Sequence, residues 1–236
     1  MLLLLPCSLL SRAQHQSKVN ATLSAEGDKM NVFQEITYHN TSNDYLEKIV
    51  LNDWNHAFSS KSSALAKRFS DEFVRSFYYA SEKELGKTTV FSIRDRSDLP
   101  LAYHRPEKHI DLIEIDLKYP LAPGTKISFT IHYEIQIPSD KFTHFGYDNN
   151  GKTELKDWIL FPARYENGDF LRYSNENLDD NPNALTDFEI TLNGWHNAII
   201  TCNLNVKKLT EGSYFLSGEN LNRVHLVTEK KSDFRS

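Results

Sequence analysis

The sequence has almost no cysteine. Only Cys7 and Cys202 occur in 236 residues, and Cys7 falls in an apolar leader that reads as removed. One thiol then remains, and no intrachain disulfide can staple the chain. Glycine and proline are scarce as well, at nine and eight, and no low-complexity tract or repeat breaks the pattern. Basic runs are missing: net charge is −5, the pI is near 6.0 and the signs are mixed along the chain. That argues against nucleic acid as a partner. The apolar run from Leu2 to Leu10 is too short to span a bilayer as a helix.

Catalytic signatures are absent too. The chain holds no Gly-x-Ser-x-Gly, no phosphate-cradling glycine loop and no Cys-x-x-Cys. Nine histidines invite a metal search, but the helical zinc signature His-Glu-x-x-His is missing. The one close pair, His104 and His109, is separated by Pro106 and cannot share a helix face. "DNNGKTE" at 148–154 lacks the later ligands of a calcium loop and reads as a hairpin turn. Glu114 and Asp116, two apart beside Lys118, read as a solvated strand face rather than an acid–base pair. His132 falls on a polar strand face, where a solvated imidazole is expected.

What is present is mostly alternation. From Ile127 to Ile137 apolar and polar residues alternate without a break, so one face of this strand lies on a core. Val19, Ala21 and Leu23 alternate, "AEGD" turns, and Met30, Val32, Ile36 and Tyr38 resume. Further strands are expected at Ile49–Leu51, at 88–93, and over 110–119, where adjacent Leu112 and Ile113 suggest a β-bulge. Pro120, Pro123 and Gly124 would then close a hairpin with the 127–137 strand. "DFEITL", "NAIITCNLNV", "SYFLS" and "RVHLVT" continue the theme. In the second of these, Ala198, Ile200, Cys202, Leu204 and Val206 share a face, which makes Cys202 a buried, inert thiol.

One segment has a different period. Leu65, Phe69, Phe73, Phe77 and Ala80 recur at helical spacing, with Lys67, Asp71 and Arg75 opposite them. A single amphipathic helix over about 63–85 is predicted, capped by Ser62 or Ser63 and ended by a left-handed Gly86. The fold class is therefore all-β: a saddle-like or sandwich assembly of mostly antiparallel sheets with one helix.

The leader "MLLLLPCSLLSRA", residues 1–13, reads as a signal peptide. Its Ser11-Arg12-Ala13 puts a small residue at each position a signal peptidase inspects. The mature chain is then expected outside the cytoplasm: periplasmic, in the cell envelope, or secreted.

Three stretches together carry a resemblance: "FQEITYHNTSNDYLEKIVLNDWNHAF", "YPLAPGTKISFTIHYEIQIPSDKFTHFGY", and "LKDWILFPARYENGDFLRYSNENLDD" followed by "LTDFEITL". In this order they resemble the N-terminal domain of aminopeptidase-N-like zinc metallopeptidases, particularly the bacterial envelope-associated members. The likeness covers residues 17–228, and 229–236 reads as the start of the next segment. It implies a non-catalytic β domain that packs on a thermolysin-like catalytic domain and helps wall its active site. Zinc, its ligands and the Gly-x-Met-Glu-Asn motif belong to that second domain, and neither motif occurs here. Such domains lend a Gln or Glu to the pocket for the substrate's amino end. By position that residue is Glu154, whose carboxylate could pair with an ammonium; otherwise it is an exposed glutamate on a hairpin arm. Trp158, Phe161 and Pro162 read as packing residues.

A different class of function stays open beside this one. A free-standing extracellular β-sandwich that binds glycan or protein would group exposed aromatics on one face, with Trp54, Trp158, Trp195 and Tyr165 as candidates.

Overall fold

The computed structural model describes residues 15–173 and 181–230. The assigned leader and the 231–236 tail lie outside the described residues. The strands are β1 (His15–Leu23), β2 (Lys29–His39), β3 (Leu46–Asn52), β4 (Lys87–Asp95), β5 (Tyr103–His104), β6 (Leu112–Leu121), β7 (Lys126–Gln136), β8 (Gly146–Tyr147) and β9 (Thr153–Lys156). They continue as β10 (Phe161–Pro162), β11 (Tyr165–Glu166), β12 (Asp169–Phe170), β13 (Thr186–Trp195), β14 (Ala198–Cys202), β15 (Asn205–Thr210), β16 (Gly212–Leu221) and β17 (His225–Lys230). A 3-10 turn at Trp54–Phe58 and helices α1 (Ala64–Asp71) and α2 (Ser76–Tyr79) lie between β3 and β4. The protein is mostly β, with mainly antiparallel sheets, as the alternation predicts.

A seven-stranded sheet runs β15-β16-β13-β1-β2-β7-β4. Its inner face is set by period two: Val19 and Ala21 on β1, Met30, Val32 and Ile36 on β2, and Phe129, Ile131, Tyr133 and Ile135 on β7 are buried. Two four-stranded sheets, β10-β3-β6-β5 and β14-β17-β9-β8, contribute to the same core through Ile49, Leu51, Ile113, Leu155 and Leu226.

Several expectations are corrected. β6 and β7 do not form a hairpin: β6 pairs with β3 and β5, whereas β7 pairs with β2 and β4. The Pro120–Gly124 stretch turns a corner between sheets, and the Gly124 N–H donates to Asn40 O at 2.8 Å. Leu112 and Ile113 are adjacent because both faces of β6 are covered there, not because of a bulge; the pairing Leu112↔Asn52 and Ile113↔Leu51 is regular. The single strand expected over 197–206 is two strands in two sheets, β14 and β15.

The predicted helix is broken. Ser63 caps α1 as expected, its Oγ accepting from Ala66 N–H at 3.1 Å. Phe73 then adopts φ 61°. Its N–H donates to Ser70 O and the Val74 N–H to Phe69 O, which is the Schellman pattern with phenylalanine where glycine is usual. Leu65, Phe69, Phe77 and Ala80 are buried in a satellite core with Trp54, Phe58 and Phe142, but Phe73 is 92% exposed. Gly86 ends no helix in the left-handed region. A Cβ there would meet Asn55 O and Phe58 Cβ at 3.0 Å each, so it serves close packing.

One polar side chain holds the inner face of the large sheet. Gln34 lies between Val32 and Ile36 at 1% exposure. Its Nε2 donates to Leu160 O at 2.7 Å and to Ser17 Oγ at 2.9 Å, and its Oε1 accepts from Tyr133 Oη at 2.6 Å and Leu160 N at 3.3 Å. Buried ionisable groups add a pH dependence. His15 Nδ1 accepts from His39 N–H and His56 Nδ1 from Thr88 N–H, both at 3.2 Å. Burial pushes these imidazoles down to about 3 and about 4 respectively, from 6.5. Their contribution is whole above pH 6.5 and is lost as pH falls through those values. Asp157 has the opposite sign. It is buried with φ 45°, its Oδ1 accepts from Val224 N–H at 2.9 Å, and burial raises it from 3.8 to about 6.

Three outcomes follow for stability, each read from urea melts. Tyr133→Phe removes one of the two donors to Gln34 Oε1 and should cost about 1–2 kcal/mol. Phe73→Gly puts the unstrained residue at the cap and should gain up to about 1 kcal/mol. For Asp157 the folded state holds the proton more tightly, so stability falls as pH rises from 3.8 through about 6. Asp157→Asn keeps the Oδ1 acceptor and tolerates the left-handed backbone. It should match the wild type near pH 3.5 and exceed it by at most about 3 kcal/mol above pH 7.

Candidate functional site

Glu154 sits in the middle of β9, opposite Gly146 on β8 and Val227 on β17. The hairpin that carries it forms as the turn residues predict: Asp148 Oδ1 accepts from the N–H groups of Asn150 and Lys152, at 2.8 Å each. Period two places Lys152, Glu154 and Lys156 on one face, with His225 opposite Lys156 on the neighbouring strand.

The Glu154 side chain is 13% exposed, so it is not the free glutamate of a hairpin arm. Lys152 Nζ lies 2.9 Å from its Oε2, His225 Nε2 3.0 Å from Oε1, and His144 Nε2 3.8 Å from Oε1. Burial opposes ionisation here, but the bonds from Lys152 and His225 outweigh it and hold the carboxyl below its usual range. Lys156 is buried beside this group, its Nζ 4.3 Å from the Trp54 ring centre and 5.6 Å from that of Phe145. His144 packs on Phe145 with ring centres 3.9 Å apart. Chemically this is an ionised carboxylate enclosed by cations and rings. An incoming ammonium would have to take the place of Lys152.

Glu114 differs from its sequence reading. It is buried on β6, bound by Lys48 Nζ at 2.7 Å and Arg172 Nε at 2.9 Å, with His104 Nε2 at 3.8 Å. Asp116, two residues on, is exposed. Burial again opposes ionisation, and the two cations overcome it. A carboxylate so enclosed joins β3, β6 and the segment after β12; it is no partner for Asp116 in acid–base work. Asp53, which sequence reasoning passed over, forms a second such node. Its Oδ2 accepts from Arg105 at 2.6 Å and its Oδ1 from Thr88 Oγ1 at 2.8 Å. The only hint was its place just before the 3-10 turn, where an aspartate caps.

The candidate aromatics are not a surface group. Trp54, Trp158 and Trp195 are at most 5% exposed, and Phe161 and Pro162 are buried as expected. Tyr165 is half-buried and its hydroxyl donates to Asp44 at 2.9 Å. Cys202 is half-buried and burial pushes its thiol up, which suits an inert role. His104 and His109 do not come together around a common point with acidic residues; among the described residues no group of three or more His, Cys, Asp or Glu could hold a metal ion. An open trough of about 1100 Å³ lies between the start of α1 and the 107–111 loop, and Glu154 does not line it.

No protein-family profile matches this chain, and no curated protein matches it. Among solved structures it is similar to an M1 zinc metallopeptidase from Deinococcus radiodurans, with a TM-score of 0.46 and 13% identity over 92% of this chain and 42% of that one. It is also similar to a two-domain M1 zinc metallopeptidase variant bound to L-tryptophan, with a TM-score of 0.47 and 13% identity over 93% of this chain and 44% of that one. A Deinococcus radiodurans variant bound to a Tyr-Ser-Ala substrate gives 0.46 and 12% over 92% and 42%. The chain thus spans less than half the length of the proteins it matches.

Proposed function

We propose that this chain is the non-catalytic N-terminal β domain of a zinc aminopeptidase-type metallopeptidase. Its work is to pack on a thermolysin-like catalytic domain and wall one side of the active site. The observation that carries this reading is how the three resembling stretches close on one another. The first supplies β2 and β3, the second β7, and the third the buried Trp158–Ala163 segment that Gln34 and Tyr133 hold against the large sheet. Stretches that resemble a family in order and also share one core support the reading more than any does alone.

The zinc and its water-activating chemistry belong, in this reading, to the catalytic domain. Glu154 is the residue assigned to the substrate's amino end. Its carboxylate is ionised, and trading the Lys152 ammonium for a substrate ammonium conserves charge. Residues 1–13 are assigned as a signal peptide and the mature domain to the outside of the cytoplasm. Cleavage after Ala13 leaves β1, the central strand that starts at His15, whole.

The test begins with the purified chain and continues with its coding DNA. The chain alone should bind no stoichiometric zinc and release no aminoacyl anilide; either activity would sink this reading. Reading every frame beyond codon 236 should find His-Glu-x-x-His and a later glutamate. In the joined protein, Glu154→Gln should raise KM for a free-amino substrate roughly tenfold with kcat little changed. An unchanged KM would remove Glu154 from the pocket without touching the domain assignment.

A further inference from the structure

The outer face of the seven-stranded sheet carries side chains that the packing of the core does not use. One continuous cross-strand row runs Phe215 on β16, Thr191 on β13, Asn20 on β1, Phe33 on β2 and His132 on β7. Phe33 is 56% exposed although it sits on a central strand among polar neighbours. The His132 ring stacks on it at 4.1 Å and 8°, so this histidine is not the bare solvated imidazole its position suggested. Phe91, 52% exposed, closes the stack from β4 at 4.9 Å. Between Phe33 and Phe215 lies a groove of about 340 Å³. Its two aromatic walls stand three strand spacings apart, roughly 14 Å.

The floor between those walls is polar. Asn20 Oδ1 accepts from Asn193 Nδ2 at 3.0 Å, and Ser213 Oγ donates to Asn193 Oδ1 at 3.0 Å. Thr130 and Thr191 add hydroxyls to the groove. Of the charged side chains that line it, Lys18 and Glu189 pair at 3.6 Å, and Glu35 is exposed at its side. No unpaired cation lines the groove, so an anionic ligand is disfavoured there. An apolar protein surface would bury the Thr191 hydroxyl and the Glu35 carboxylate, which is costly. A ligand that suits both walls and floor presents apolar C–H faces to the rings and hydroxyls to the amides.

We propose that this groove binds a neutral oligosaccharide, with Phe33 and Phe215 as the stacking walls and Asn20 and Thr191 as the polar floor. This does not rest on the metallopeptidase reading; glycan retention and peptidase activity are separate measurements. The probes are hydroxyethyl cellulose, glucomannan, xylan and laminarin in affinity gels, followed by calorimetry with the hexasaccharide of whichever retards the full chain. Retardation by at least one is expected, insensitive to salt. Phe33→Ala and Phe215→Ala should each weaken it roughly tenfold at an unchanged urea midpoint, and Tyr119→Ala, an exposed aromatic elsewhere, should leave it intact. No retardation by any of the four, or wild-type retention by both groove variants, overturns the proposal. So does a sedimentation run in which Phe33→Ala abolishes self-association while no glycan binds, because the face is then a contact between copies.

Discussion

A buried stretch of irregular backbone is the constraint around which this fold is arranged. Residues 157–160 belong to no strand, yet Trp158, Ile159 and Leu160 are all at most 3% exposed. Backbone groups so placed have no ladder and no bulk water, and each one left unpaired costs as much as a lost hydrogen bond. Gln34 resolves this by giving up an apolar place on β2. Its amide supplies an acceptor to Leu160 N and a donor to Leu160 O, while Ser17 and Tyr133 take up the remaining capacity. Asp157 does the same three residues earlier: its N–H donates to Val224 O, and its Oδ1 accepts from Val224 N–H. The segment is thereby fixed to the large sheet at one end and to β17 at the other. Burying Asp157 raises its pKa, so this anchorage opposes ionisation at neutral pH.

The shielded carboxylates follow a common plan. Glu114, Glu154 and Asp53 each lie on or beside a strand, shielded from water; Lys48 and Arg172 reach Glu114 and Arg105 reaches Asp53 from other parts of the chain, whereas Glu154 is met by Lys152 of its own hairpin and by His225 of β17. Nodes of this kind add little net stability compared with apolar packing, but removing one partner leaves a stranded charge. Their use here is to define where elements meet: β3 with β6 and the segment after β12 at Glu114, and the 3-10 turn with β4 and the 105–112 loop at Asp53. The broken helix is a related compromise. Phe69 and Phe77 must both reach the satellite core, and a left-handed Phe73 between α1 and α2 is the local distortion that accompanies it.

Much of the fold was legible because its strands are one-sided. Period two in β1, β2 and β7 marks the inner face residue by residue, and Ser63 marks the start of α1. What was not legible depends on which strand meets which. A proline-rich connection looks the same whether it closes a hairpin or turns a corner between sheets, so β6 and β7 were paired wrongly. Leu112 and Ile113 look like a bulge, but burial on both faces produces the same doublet. The chain from 197 to 206 keeps its alternation in sequence through the switch from β14 to β15, although only β14 alternates in burial and every residue of β15 is exposed. At the candidate site, Glu154 was legible only by resemblance. Its partners His144 and His225 lie 10 and 71 residues away, and no spacing rule joins them.

The parallel pairing of β1 with β13 decides how these parts become one unit. β1 pairs with β13 from His15↔Thr186 to Thr22↔Asn193, and β2 lies antiparallel on its other side. A parallel pair cannot be closed by a tight turn, so everything between β1 and β13 must be in place, or at least collapsed, before it forms. Contacts this distant in sequence make folding slow, since the cost of closing the loop precedes the reward of the pairing. The same pairing places β1 at the centre of the seven-stranded sheet, with three strands on either side, and removes it from the rim. Edge exposure falls instead on β4 and β15. Every residue of β15 is exposed, and Lys207 and Lys208 stand where an unpaired strand needs charge to discourage other chains. The core is thus closed by the pairing most distant in sequence, and the rim is guarded by residues with no part in that closure.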